Sequence, residues 1–476
     1  MEHLYLRRGK RGRSHPSDMV IGGENNMEKN TSAGPPGMGG SAREPKEQAA
    51  RRSFAGLVEC PLFTEQAKLT LNKDGLLITA SFDQLPVPYG EITGIALTDY
   101  RVEIQTAGGM VGVSYLGQAA EWLYNHLYAI YNNAVLKALL VEGNPSFEAE
   151  GDYISVENGQ TRQDRAVFRL YEDCLCILPP GEQARRIPLC FLTSMEKSCF
   201  GLTLALSTGE RYTLQQLGRE LDNLERLLTD GLRALRERTL EWLKELVPGL
   251  SSMQAAMAAK LMPLGTAASM EKLSAAAPPL AGALEQKISE SRMAQTYPWL
   301  RALCGCRGLR VGALPPPEKK GQKQPAMQAA GITGVPEDGR EPNAEPEQKP
   351  ILWAIAPGPG GRVAAVELAL ADEEAAATYL YRVDGDWETF ARLLDRALEA
   401  IGFRREVILM PDEKLNAPEH LADAILVNRT PALRLLRSCF TGRAIHSSPE
   451  RWRQDIENCC GVALPAEPGK RGNRQA

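Results

Sequence analysis

Long apolar runs are missing from this 476-residue chain: no uninterrupted stretch approaches the roughly 18 residues that a membrane-spanning helix needs. A dominant charge is missing too. Lysine and arginine total 55 against 59 aspartates and glutamates, and the formal net charge of −4 excludes a whole-molecule attraction to nucleic acid or to an anionic membrane. Histidine is scarce, with only His3, His15, His126, His420 and His446, and the ten cysteines show no C-x2-C pair of the structural zinc type. Cys304-Gly-Cys306 and Cys459-Cys460 are the closest pairs, and with so few histidines they read as reduced structural thiols, with no metal expected. No phosphate loop, dinucleotide fingerprint, H-E-x-x-H or G-x-S-x-G motif occurs, so no cofactor and no catalytic residue is expected. The basic cluster Arg7, Arg8, Lys10, Arg11 and Arg13 has no apolar core after it and fails the pattern of a secretory signal, which points to a cytoplasmic protein.

What the chain does contain is a stretch stated twice, once over Lys68 to Leu140 and again over Val167 to Thr239. Leu69-Thr-Leu71 and Leu76-Leu-Ile78 flank the turn Asn72-Lys-Asp-Gly75, as Phe168-Arg-Leu170 and Leu175-Cys-Ile177 flank Tyr171-Glu-Asp-Cys174. Pro88-Tyr89 with Ile92 and Ile95 corresponds to Pro188-Leu189 with Leu192 and Met195, and Leu116-Gly117 to Leu217-Gly218. Period-two alternation between turn signals predicts several short antiparallel strands in each copy. A closing amphipathic helix follows from Ala119, Leu123, Leu127 and Ile130 in one copy and Leu221, Leu224, Leu228 and Leu232 in the other.

This layout is similar to tandem bacterial modules of the pleckstrin-homology-like superfold, in which a bent seven-stranded sheet is capped by a C-terminal helix; the resemblance covers Phe54 to Trp242. It implies a fold without a catalytic signature. Where members bind phosphoinositides, lysine and arginine in the loop between the first two strands do so. Taken as those loops, 72–75 and 171–174 hold acidic residues and one lysine, which departs from the lipid-binding pattern. The repeated layout and the missing catalytic motifs point to a non-enzymatic interaction scaffold, with protein as the expected partner, an anionic membrane lipid as the alternative and no specific nucleic acid.

The fold class expected is α+β and multidomain. Residues 1–53 are too polar to offset their ordering entropy and read as a disordered arm; Met27-Glu-Lys-Asn-Thr-Ser is an ordinary polar start, and the basic cluster is given no nucleic-acid role. The first module spans 54–142 and the second 143–250, with only Glu142 to Pro145 between them. A helical subdomain over 251–313 follows, with Ser251 as an N-cap and Pro278 and Pro279 as breakers. The stretch 314–350, dense in Pro, Gly, Glu and Lys, reads as a flexible linker separating an α+β domain at 351–464, and 465–476 as a disordered tail. In that domain strands are expected at Ile351 to Ile355, Val363 to Leu370, Thr378 to Val383 and Glu406 to Leu409, with helices at Asp386 to Ile401, Leu421 to Val427 and Pro431 to Phe440.

Two residue sets are candidates for function. Arg185 with Arg186 on a strand edge, and Arg434 with Arg437 one helical turn apart, offer cations for an interaction surface. Glu367, with Thr378, Tyr379, Tyr381 and Arg382 on the neighbouring strand and His446 near them, could do acid-base work. The competing reading of that set is a half-solvated sheet with alternating faces, and of His446-Ser-Ser-Pro449 a cap for the helix that contains Trp452.

Overall fold

The computed structural model describes residues 53–106, 108–157, 159–181, 183–305, 307–315, 350–369 and 377–461. The arm before Ser53, the tail 465–476, the interior of 314–350, Cys306 and the side chain of Cys460 lie outside them. Among the described residues the chain is α+β, with three antiparallel sheets and twelve α-helices.

The first sheet contains β1 (Ser53–Glu59), β2 (Thr64–Leu71), β3 (Gly75–Thr79), β4 (Gln84–Pro88), β5 (Ile92–Thr98), β6 (Arg101–Thr106) and β7 (Gly109–Ser114), ordered β4-β3-β2-β1-β7-β6-β5. Alternation sends Leu69, Leu71, Leu76, Ile78, Val102 and Ile104 inward, where they share a core with Leu123 and Leu127 of α1 (Ala119–Ala138). Pro86 and Pro88 fall on the edge strand β4, where a missing N–H spares the ladder.

The second sheet repeats the plan with β8 (Phe147–Glu157), β9 (Gln160–Leu170), β10 (Cys174–Leu178), β11 (Arg185–Pro188), β12 (Leu192–Lys197), β13 (Gly201–Leu206) and β14 (Arg211–Gln215), ordered β11-β10-β9-β8-β14-β13-β12. Helix α2 (Glu220–Leu246) follows. Gly117 and Gly218, each just before its helix, both take φ +56, a left-handed turn that disfavours a side chain.

Because β1 and β8 precede the strands that flank 72–75 and 171–174, those turns join the second and third strands of their sheets. The loop between the first two strands is Cys60–Phe63 in one sheet and surrounds Gly159 in the other.

The sheets meet through α1 and the turn after β10. Tyr128 donates to the Leu178 carbonyl, the Ile95 N–H to that of Pro180 at 3.0 Å, and Gly94 bridges Gly181. Strand β10 is therefore buried on both faces: Leu175 and Ile177 enter their own core while Cys174, Cys176 and Leu178 join the core of the first sheet. That is why the strand carries no polar residue.

The third sheet has six strands: β15 (Ala268–Ser269), β16 (Arg310–Leu314), β17 (Ile351–Pro357), β18 (Val363–Ala369), β19 (Ala377–Arg382) and β20 (Phe440–Ile445), in sequential order. Leu314 pairs with Ile351, so the two ends of the 314–350 segment are neighbours in one sheet. The boundary expected there is corrected accordingly: two strands of the C-terminal sheet come from the stretch read as a helical subdomain. Gly312 faces Trp353 across this pairing, and a Cβ there would stand 2.1 Å from the indole.

Both faces of the third sheet are covered, which replaces the half-solvated sheet expected. Trp353, Ile355, Ala364, Val366, Tyr379 and Tyr381 pack beneath α7 (Trp387–Ala400), α8 (Glu406–Leu409), α9 (Asp412–Leu415), α10 (Leu421–Arg429) and α11 (Pro431–Cys439). The opposite face, rich in alanine (Ala354, Ala356, Ala365, Ala369), meets α3 (Ser252–Leu261), α4 (Met270–Ala276), α5 (Pro278–Ser289), α6 (Tyr297–Cys304) and α12 (Pro449–Cys460). Glu406–Leu409 forms a single helical turn rather than a strand, closed by the Met410 N–H on the Glu406 carbonyl, and the outer strand is β20. A four-residue apolar run carries no periodicity to distinguish the two.

Candidate functional site

Glu367 and His446 do come together. Glu367 lies on β18 and Thr378 on β19, both on the alanine face, while His446 directly follows β20. His446 Nε2 stands 3.2 Å from Glu367 Oε1 and 3.1 Å from Thr378 Oγ1. The Thr378 hydroxyl donates to Glu367 Oε2 at 2.7 Å and accepts from Trp452 Nε1 at 2.7 Å. A hydroxyl has one proton, already committed to the carboxylate, so His446 bonds this oxygen only as an Nε2–H donor. Trp299 of α6 closes the set, tilted against Trp452 at 5.4 Å and edge-on to His446 at 6.4 Å. Ser448 caps α12 by accepting from the Arg451 N–H at 3.1 Å. With Glu367 2% exposed and Thr378 at 0%, the cluster joins β18, β19, β20 and α12 through the Glu367 carboxylate, the Thr378 hydroxyl, the Trp452 indole N–H and His446 Nε2.

Tyr379 and Tyr381 are not part of it. Adjacent positions on a strand face opposite ways, and both phenols lie on the other side of the sheet, with Phe440 and with Arg405 stacked 5.0 Å over Tyr379. Burial raises both phenol pKa values, Tyr381 the more, so neither serves as a proton acceptor near neutrality.

The arginines expected on a solvated edge are internal ties. Arg185 makes a two-pronged bond to Glu157 at 2.7 and 3.0 Å, and Tyr212 adds a third at 2.8 Å. Burial opposes the Glu157 charge, but the hydrogen bonds and charge of Arg185 outweigh it and hold the carboxyl below its ordinary pKa. Arg186 reaches Glu399 of α7 at 2.6 Å and Asp173 at 2.7 Å, and Arg396 holds the other Glu399 oxygen at 3.0 Å. One carboxylate between two guanidiniums thus fastens the second sheet to the C-terminal helices. Arg437 is likewise engaged, with the carbonyls of Val407 and Met410 and with Asp412, and only Arg434 of the four is exposed.

A surface that the sequence reading passed over lies at one end of the first sheet. The turns β1–β2, β3–β4 and β6–β7 lie side by side there: the Ser81 N–H reaches Glu65 at 3.3 Å, and Pro61 crowds Gly109. Their apolar side chains stand in solvent, with Phe82 97%, Leu62 71% and Met110 42% exposed. The signal was in the sequence, since Pro61-Leu62-Phe63 and Ser81-Phe82-Asp83 place large apolar residues in turns. Reading β1 as a strand was needed to bring them together.

The matching end of the second sheet is partly covered, with the β8–β9 tip at Gly159 to Arg162 left exposed. Its β8–β9 and β13–β14 turns enclose a cavity of ≈ 200 Å³ with Leu393 of α7 and Pro431, Ala432 and Leu435 of α11, and its β10–β11 turn meets the first sheet at Gly94 and Ile95.

Among the described residues no group of three or more His, Cys, Asp or Glu could hold a metal ion, and no helix is long and apolar enough to cross a membrane. No family model matches the chain, and no curated protein matches it in sequence.

Proposed function

We propose that the protein is a non-enzymatic, cytoplasmic binding or scaffold protein built on two pleckstrin-homology-like modules, with recognition at the open end of the first. The repeated strand order with a helix after each last strand supports the fold reading. The observation that carries the function is the contrast between the two ends: at the second sheet Glu157, Thr208 and Glu210 face α7 and α11 of the same chain, whereas at the first Phe82 and Leu62 face solvent. Single exposed apolar side chains are ordinary, but Leu62 and Phe82 on neighbouring turns, with Met110 at the start of β7, support an interaction surface. Anionic lipid is the weaker partner, because the segments 60–66, 79–85 and 105–110 contain no lysine or arginine. Catalysis by Glu367 and His446 is disfavoured by the burial of Glu367 and by the engagement of both its oxygens with Thr378 and His446 Nε2. The test compares full-length protein with Phe82→Asp as bait in native extract. The expected result is a protein recovered by the first and lost with the second, both being equally folded by circular dichroism; substrate-dependent turnover by the purified chain would refute the reading.

A further inference from the structure

We infer that the open end of the first sheet receives an amphipathic helix with an apolar stripe and basic flanks, supplied by another protein. The inference rests on the proposed binding role of this end and names its partner's chemistry.

The chain itself supplies the nearest precedent. The two sheets have the same strand order, so the β1–β2 and β6–β7 turns of the first correspond to the β8–β9 and β13–β14 turns of the second. The latter are met by helices, through Leu393 of α7 and the first turns of α11. Those helices present the apolar residues Leu393, Pro431, Ala432 and Leu435 toward Glu157 and Glu210. The end of a sheet of this shape thus accommodates a helix side.

Charge selects the kind of helix. Within the segments 60–66, 79–85 and 105–110 the ionised groups are Glu65 and Asp83, with no lysine or arginine; Glu59 before them is paired with Arg101, and Lys68 lies further along, opposite Thr79. An apolar surface rimmed with carboxylates favours lysine or arginine at the edge of its ligand and repels anionic headgroups. A helix laying leucines at i, i+3, i+4 and i+7 across the tips, with basic residues beside them, satisfies both features.

The experiment uses fluorescence anisotropy with the full chain and two 20-residue amphipathic helical probes, one of leucine and lysine and one of leucine and glutamate. A scrambled leucine and lysine peptide controls for charge alone. The expected result is saturable binding of the ordered leucine and lysine probe only. Phe82→Ser with Leu62→Ser should weaken it at least tenfold, as removal of a buried apolar side chain does. Glu65→Gln with Asp83→Asn should weaken it and flatten its salt dependence. Equal binding to wild type and the serine variant, or equal binding of the scrambled peptide, overturns the inference. So does self-association in light scattering that the serine variant abolishes, which would make the occupant a second copy. Retention on phosphatidylcholine and phosphatidylserine vesicles that requires Phe82 would make it a membrane. If extract capture still depends on Phe82 while the leucine and lysine probe fails, the binding role stands and the helix does not.

Discussion

At the scale of single residues, this chain uses buried polar groups to fasten elements together, and Asp395 illustrates the energetics. It lies on α7 at 1% exposure and accepts the Ala267 N–H at 3.0 Å and Trp353 Nε1–H at 3.1 Å. Burial pushes its pKa up to about 7, against the opposing pull of Arg310 and the two hydrogen bonds. A carboxyl with a raised folded pKa binds more protons folded than unfolded between roughly pH 4 and 7. Stability should therefore decline as pH rises through that window and level off above it. The span, from 3.8 to about 7, corresponds to on the order of 4 kcal/mol. Denaturant melts at successive pH values should show that slope in the wild type and lose it in Asp395→Asn, which also leaves one N–H short of an acceptor and is less stable at pH 5. A slope unchanged by the substitution would place its origin elsewhere. The Glu367–His446 pair and the caps at Ser251 and Ser448 were legible in the sequence, but the Asp395 ties were not: Asp395 sits in an ordinary amphipathic helix, and only the fold brings Ala267 and Trp353 to it. The same holds for Arg185 and Arg186, whose partners Glu157 and Glu399 are remote in sequence.

At the scale of elements, the repeat was readable because its punctuation recurs. The turns at 72–75 and 171–174 and the left-handed glycines before each helix are local chemistry that survives divergence of the core residues. What local chemistry could not show was the role of each helix face. The aromatics of α1 divide: Trp122 packs on Phe54 at 4.9 Å and stacks on His126, within its own module, while Tyr128 and Tyr131 face other elements. Tyr131 is fully buried and accepts from Arg429 of α10 at 2.6 Å. Nearby, Gly90 lets Leu421 of α10 approach so closely that a Cβ would meet it at 2.5 Å. Tyr131→Phe keeps the ring and removes the acceptor of a buried guanidinium, a loss of about 1.5–3 kcal/mol. Hydrogen exchange should quicken in both α1 and α10, whereas Trp122→Ala should affect β1 and α1 first. Protection in α10 unaltered by Tyr131→Phe would show that this contact does not couple them.

At the scale of the whole molecule, the composition of 314–350 was read as a boundary between folding units, and the strand pairing gives it another meaning. A Pro- and Gly-rich segment marks only where the chain leaves regular structure, and it does so equally between domains and between paired strands. Here β16 and β17 are held by five residue pairs from Arg310↔Ile355 to Leu314↔Ile351, and β17 is an interior strand with a core on each face. Protease should still cut first within 316–349, as its composition predicts. The two products, however, should remain one particle: separating them would expose Trp353 and Ile355 on one side and Ala354 and Ala356 on the other. The nicked protein should elute with the intact chain on native size exclusion, split only in detergent, and unfold in a single transition. Separate elution of a piece beginning near residue 350 would show that the third sheet does not bind its two halves. Closure entropy gives the converse expectation. Replacing the 34 residues 316–349 by a four-residue turn shortens the connection between β16 and β17, and the closure term for a flexible connection of that length predicts a gain of roughly 2 kcal/mol without altering the sheet.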